Sequence, residues 1–192
     1  EYLAGDTLCR GEYYTPTSGA DGPLPVVLVC HAWDGLNDEV RDKSRKLAAA
    51  GYIAFAIDIH GGGKVITDFS ELMPTLAPYL DDRALLLGRI AGAFAAAHTI
   101  PDVDTSRIGA MGYCFGGMAV LDLARSGANV KGVVSFHGSL DGNQLDSPAT
   151  LHSKILVLHG EDDPTGCQQP VVWCGLQCQC GSTLVAIHAE LF

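Results

Sequence analysis

Positive charge is scarce in this chain: 12 Lys and Arg stand against 22 Asp and Glu, a formal net charge of −10. A field of that sign repels polyphosphates and argues against nucleic acid as a partner. Long apolar runs are missing as well. No window reaches the ~20 unbroken apolar residues a membrane-spanning helix needs, so no membrane partner is expected. No leader pattern of basic start, apolar run and small-residue cleavage site opens the chain, and no initiating Met is present. Glu1-Tyr2 already reads as the start of a strand, so the N-terminus looks trimmed. Seven cysteines, an odd number, read as reduced thiols in a cytoplasmic setting rather than as a disulfide framework. Charge is scarcest of all in residues 165–192, where Glu190 is the single charged side chain. That same tail carries Cys167, Cys174, Cys178 and Cys180.

The remaining composition is that of a folded protein, with 47% apolar and 18% charged residues. A length of 192 residues suits one domain with a sizeable core, spanning 1–192. Short runs rich in Val and Ile recur at 26–29, 53–57, 108–111, 130–136, 155–158 and 184–187. Their near-continuous hydrophobicity predicts strands buried on both faces of a parallel sheet. Between them, 37–50, 81–99 and 116–126 read as helices; the second opens on Asp81-Asp82, favourable at a helix N-terminus. Alternation of this kind predicts an α/β fold: a mostly parallel sheet with right-handed crossovers and helices on both faces. There is no internal repeat and no low-complexity tract.

Ligands of open parallel sheets bind beyond the carboxyl ends of the strands, and here those ends carry the chemistry. The third run leads into Gly112-Tyr113-Cys114-Phe115-Gly116-Gly117, with a helix predicted to follow. This is the G-x-C-x-G form of the nucleophile elbow, in which a sharp strand-to-helix turn presents the central side chain. Glycines two before and two after avoid collisions, and the helix N-terminus favours thiolate at Cys114. The N–H of Phe115 and a second N–H near Trp33 are the candidate oxyanion donors. A buried structural Cys in a glycine-rich turn is the competing reading. An acid is expected later in the chain, at Asp163 in Glu161-Asp162-Asp163-Pro164, against the alternative of a plain turn carboxylate. His31, His60, His137 and His159 also sit at strand ends; such histidines commonly cap a sheet or hold loops, and chain order disfavours them as the base.

With these residues in place, the chain resembles the dienelactone hydrolase family. The likeness rests on His31-Ala32-Trp33-Asp34-Gly35-Leu36, the Cys114 elbow, Val133-Val134-Ser135-Phe136-His137-Gly138 and Leu156-Val157-Leu158-His159-Gly160-Glu161-Asp162-Asp163-Pro164. It implies an α/β-hydrolase fold, hydrolysis of small esters or lactones, no cofactor or metal, and a Cys–His–Asp triad. Cys114 would attack the carbonyl and Asp163 would orient the histidine. Members often carry a Glu just before the oxyanion position; here it is Ala32, so a carboxylate switch on the thiol is not expected. The family's histidine lies about thirty residues beyond the Asp. His188 follows Asp163 by 25 and is the candidate base, with a strand-end histidine as the alternative and the family's histidine then falling past residue 192. Arg83 is the candidate for gripping a substrate carboxylate, or else a surface partner of Asp81 or Asp82. The pattern fails in 165–192, which is atypical of the family; a mis-registered C-terminus would explain it. A catalytically incomplete, acyl-binding homologue is one alternative function, and a thiol redox or metal-binding role for the tail cysteines is another.

Overall fold

The computed structural model describes residues 1–17, 22–141 and 151–160, together with the backbone of two strands at 177–178 and 184–188. A short hairpin of β1 (Tyr2–Ala4) and β2 (Thr7–Cys9) precedes β3 (Glu12–Tyr14), β4 (Leu24–Cys30), α1 (Asp38–Ala49) and β5 (Ile53–Ile57). There follow α2 (Leu72–Asp81), α3 (Arg83–Ala97), β6 (Val103–Tyr113), α4 (Phe115–Arg125), β7 (Gly132–Phe136), β8 (Lys154–Gly160), β9 (Gln177–Cys178) and β10 (Leu184–His188). Among the described residues one sheet has the order β3-β5-β4-β6-β7-β8-β10-β9. β5, β4, β6, β7 and β8 are parallel, and β3 joins one edge antiparallel. The pattern of apolar runs therefore translates into a parallel core.

One expectation is corrected. The run at 184–187 does form a strand, but β10 pairs antiparallel with β8. A continuous apolar run reports burial on both faces and is silent on strand direction. Helix 81–99 also divides. Asp81 ends α2, and Asp82, in extended conformation, caps α3 by accepting from the N–H of Ala84 and Leu85 at 3.0 and 3.1 Å.

Side-chain alternation sorts the core onto the two faces of the sheet. Val26, Leu28 and Cys30 of β4, with Ile53, Phe55 and Ile57 of β5, face α3 and α4 in the larger cluster. Ala54, Ala56 and Val29 face Val40 of α1 in the smaller one. α1 starts where the Asn37 side chain accepts from the Val40 N–H at 3.1 Å, with Asp38 and Glu39 in its first turn. α4 is different in kind: every residue from Phe115 to Arg125 is buried. That burial decides the surroundings of both its N-terminus and its one carboxylate. Among the described residues no helix is long and apolar enough to cross a membrane.

Candidate active site

The turn between β6 and α4 is built as the spacing of its glycines predicts. Cys114 is a half-buried thiol at the helix N-cap with φ 54° and ψ −115°. An L-residue with a side chain adopts that region only when its surroundings impose it. The Cys114 N–H donates to the Phe136 carbonyl at 2.9 Å, and its own carbonyl accepts the Met118 N–H at 3.2 Å. A Cβ on Gly112 would lie 2.1 Å from the Gly116 carbonyl oxygen, and one on Gly116 would lie 2.3 Å from the His31 carbonyl oxygen. Both glycines are thus required by close backbone approach. The first turn of α4 presses directly on the end of β4, with the N–H groups of Phe115, Gly116 and Gly117 lacking intrahelical acceptors.

The segment after β4 is pinned from the neighbouring strand end. Buried Asp58, just past β5, accepts backbone N–H bonds from Arg10, Gly61 and Gly63 at 2.9, 2.9 and 2.7 Å. The loop so held reaches back across the site: the Ile66 N–H donates to the Asp34 carbonyl at 2.8 Å, and Gly35 bridges Val65. His31 is fully buried. Its Nδ1 lies 2.6 Å from the Ala32 carbonyl oxygen, and its Nε2 accepts the Ile59 N–H at 3.1 Å. His60 Nε2 lies 2.9 Å from the Trp33 carbonyl oxygen. The two imidazoles are 4.7 Å apart, and the Phe115 ring stacks on both at 6.4 and 5.9 Å. Tyr79 of α2 closes the cluster at 5.6 Å from Phe115, and Trp33 meets Phe69 edge-on at 6.1 Å.

Burial pushes the His31 pKa down to about 4, with His60 the next contributor, and burial lowers His60 as well. The unfolded chain would titrate His31 near 6.5, so acid stabilises the unfolded state between those two values. Stability is therefore complete above pH 6.5 and falls as the pH drops toward 4. Between pH 7 and 5 this residue alone accounts for a loss of about 2 kcal/mol. Urea titrations at the two pH values read that loss, and His31→Gln should remove most of it. Equal pH slopes in both proteins would refute the assignment.

The predicted site residues fare differently. Cys114 and Phe115 follow the end of β6, and Trp33, past the end of β4, packs against the core cluster that contains Phe115. Asp163 lies outside the described residues, as do the tail cysteines apart from the backbone of Cys178. For His188 the backbone register is informative. β10 begins opposite Gly160 and runs back along β8, leaving His188 opposite Leu156. Tyr113, Phe136 and Leu158 share a level across β6, β7 and β8, and Cys114 stands one residue beyond it. His188 is thus three strands across and three residues back, roughly 17 Å from Cys114 at ordinary strand spacings. An antiparallel last strand carries its C-terminal end away from the edge where the elbow stands. The register does not bring this pair together.

Arg83 is corrected too. It is buried, and its guanidinium is forked onto the Asp122 carboxylate by contacts of 2.7–2.9 Å, with a further bond to the Asp141 carbonyl at 3.0 Å. Asp122 lies eight residues along α4 from Cys114, about 12 Å at the helical rise. Arg83 therefore holds helices together where a surface pair or a substrate grip was expected. His31 and His60 hold loops, as strand-end histidines commonly do, but which carbonyls they hold could not be read from sequence.

Similarity to known proteins agrees with this geometry. The chain is 39% identical to a dienelactone hydrolase-like promiscuous phosphotriesterase from metagenomic libraries, with a TM-score of 0.79 over 87% of this chain and 69% of that one. It is 30% identical to a carboxymethylenebutenolidase-like protein of Escherichia coli over 170 residues, 83% of this chain and 62% of that protein. A lactonase-like protein of Bradyrhizobium sp., named for 2-oxo-3-(5-oxofuran-2-ylidene)propanoate, is 33% identical over 74% of this chain and 61% of its own. The chain thus spans somewhat under two thirds of the length of these two curated relatives. The profile of the dienelactone hydrolase family matches residues 10–172, and the chain belongs to that family.

Proposed function

We propose that the protein is a cysteine-dependent hydrolase of small carboxylic esters or lactones, acting through an acyl-enzyme at Cys114. The observation that carries this reading is the strained backbone of Cys114 at the N-cap of a buried helix. That conformation exposes the thiol at the positive end of α4, where thiolate is favoured. In acylation the Cys114 sulfur adds to the substrate carbonyl, and negative charge collects on the carbonyl oxygen. The N–H groups of Phe115 and Trp33 receive it. Collapse of the tetrahedral adduct breaks the C–O bond, and the alkoxide leaves with the proton that the base took from the Cys114 thiol. Water then attacks the thioester, releasing the carboxylic acid and the thiol. Asp163 and His188 are the acid and base of this scheme as first read from sequence.

The register of β10 favours a second reading, in which Cys114 is acylated and turnover stalls for want of a base. Rapid mixing with p-nitrophenyl acetate separates the two. Continuous release of p-nitrophenol, lost in His188→Ala, supports a complete triad. One equivalent released per Cys114 followed by a flat line supports acyl capture. No release at all would defeat both.

A further inference from the structure

The histidines at the ends of β4 and β5 have places that loop-holding alone does not require. Consecutive peptide groups bracket Trp33. The first contains the Ala32 carbonyl and the Trp33 N–H, and the second begins with the Trp33 carbonyl. Every peptide bond among the described residues is trans. In a trans peptide the C=O and the following N–H point in opposite directions in one plane. Fixing the Ala32 carbonyl therefore aims the Trp33 N–H. His31 Nδ1 is bonded to that carbonyl at 2.6 Å, and His60 Nε2 to the Trp33 carbonyl at 2.9 Å.

We infer that His31 and His60 are positioning residues that aim the Trp33 N–H into the oxyanion hole, one gripping the carbonyl before it and the other the carbonyl after it. The inference rests on the proposed oxyanion role of Trp33 and Phe115.

Three features make the grip specific. A carbonyl only accepts, so His31 Nδ1 and His60 Nε2 must each carry the proton. Because the Ile59 N–H donates to His31 Nε2 at 3.1 Å, that nitrogen must be bare, and a single neutral tautomer of His31 satisfies both bonds. The depressed pKa of each ring keeps this pattern intact at neutral pH. Finally, the two rings pack against the Phe115 ring, whose backbone N–H is the other proposed donor. Both donors are thereby indexed to one aromatic cluster, beneath the point where α4 presses on the His31 carbonyl. Preorganisation of this kind is what an oxyanion hole requires, since its donors must be in place before charge develops.

The test compares two reactions of the same thiol. Acylation by p-nitrophenyl acetate passes through an oxyanion; alkylation by iodoacetamide does not. His31→Phe keeps an aromatic ring but deletes both hydrogen bonds, and His60→Phe deletes the bond to Trp33. Each should slow the acylation burst by about 100-fold, most of what one oxyanion donor contributes. The concentration of ester giving half-maximal burst rate, and the alkylation rate, should stay within about twofold. A glutamine at position 31 can donate from its amide nitrogen and accept on its oxygen, so His31→Gln should recover most of the acylation rate. His60→Gln should do the same through its amide N–H. Burst rates equal to wild type in both Phe variants would overturn the inference. So would equal falls in acylation and alkylation, which mark a general loss of structure; the Gln variants, lacking rescue, would overturn it even if the Phe variants fold poorly. Failure of the underlying reading looks different: Cys114→Ala would keep the burst, and no oxyanion at this site would remain to be served.

Discussion

Replacing Cys114 with Ala should lower p-nitrophenol release from p-nitrophenyl acetate to the uncatalysed background, a loss of roughly 10⁴-fold or more, burst included. Removing a nucleophile deletes the covalent path outright, and the other groups then contribute only binding and oxyanion stabilisation. The change keeps the backbone bonds that hold the turn. Neither the N–H bond to Phe136 nor the carbonyl bond from Met118 involves the side chain. Alanine does inherit the positive φ of 54°, which costs it no more than it costs cysteine. Circular dichroism and the urea midpoint should therefore match wild type while release of product is lost. Retention of a one-equivalent burst would mean that another group is acylated, with His137, exposed just past β7, the first to examine. Cys114→Ser sharpens the assignment. A hydroxyl is far less ionised than a thiol at neutral pH, so the serine protein should be slow in acylation and its residue 114 should stay unlabelled by iodoacetamide, read by peptide mass mapping.

What could be read from sequence divides along a physical line. Runs such as 53–57 and 155–158 announced themselves because strands of a parallel sheet are apolar on both faces. The elbow was legible because its constraint is local: Gly112 and Gly116 are forced by contacts within one turn and one adjacent strand end. α2 carries two prolines, which weaken a helical pattern in sequence. Pro74 falls in the first turn, where its missing N–H has no intrahelical acceptor to lose, and Pro78 sits in the interior of the helix. Partnerships between distant residues left no local signal. Nothing near Arg83 in sequence points to Asp122, 39 positions away. His60 and Trp33 meet only because β5 lies beside β4 in the sheet. The direction of β10 depends on its connection, which hydrophobicity does not encode, so the level at which His188 stands in the sheet could not be read either.

The second large effect lies at the other end of α4. Asp122 is fully buried, and both of its oxygens are engaged. Arg83 forks onto it, and Arg125 donates to Oδ1 at 2.7 Å while also holding the Leu140 carbonyl at 2.8 Å. This cluster binds α3, α4 and the segment at 140–141 to one another. Asp122→Ala would remove the carboxylate that two buried guanidinium groups share, a loss of about 3–5 kcal/mol. Against a typical domain stability of about 5–15 kcal/mol, that decides whether the protein stays folded at 37 °C. The attraction within the cluster is largely offset by the cost of burying its charges. Converting all three residues together, Arg83→Met, Asp122→Leu and Arg125→Met, should therefore restore most of what Asp122→Ala removes. Urea denaturation of the single and triple variants reads both quantities, and 0.5 M salt should change the single variant's loss little, because buried charges are poorly screened. A loss below about 1 kcal/mol in Asp122→Ala, the range of an exposed pair, would show that the cluster contributes no more than a surface salt bridge.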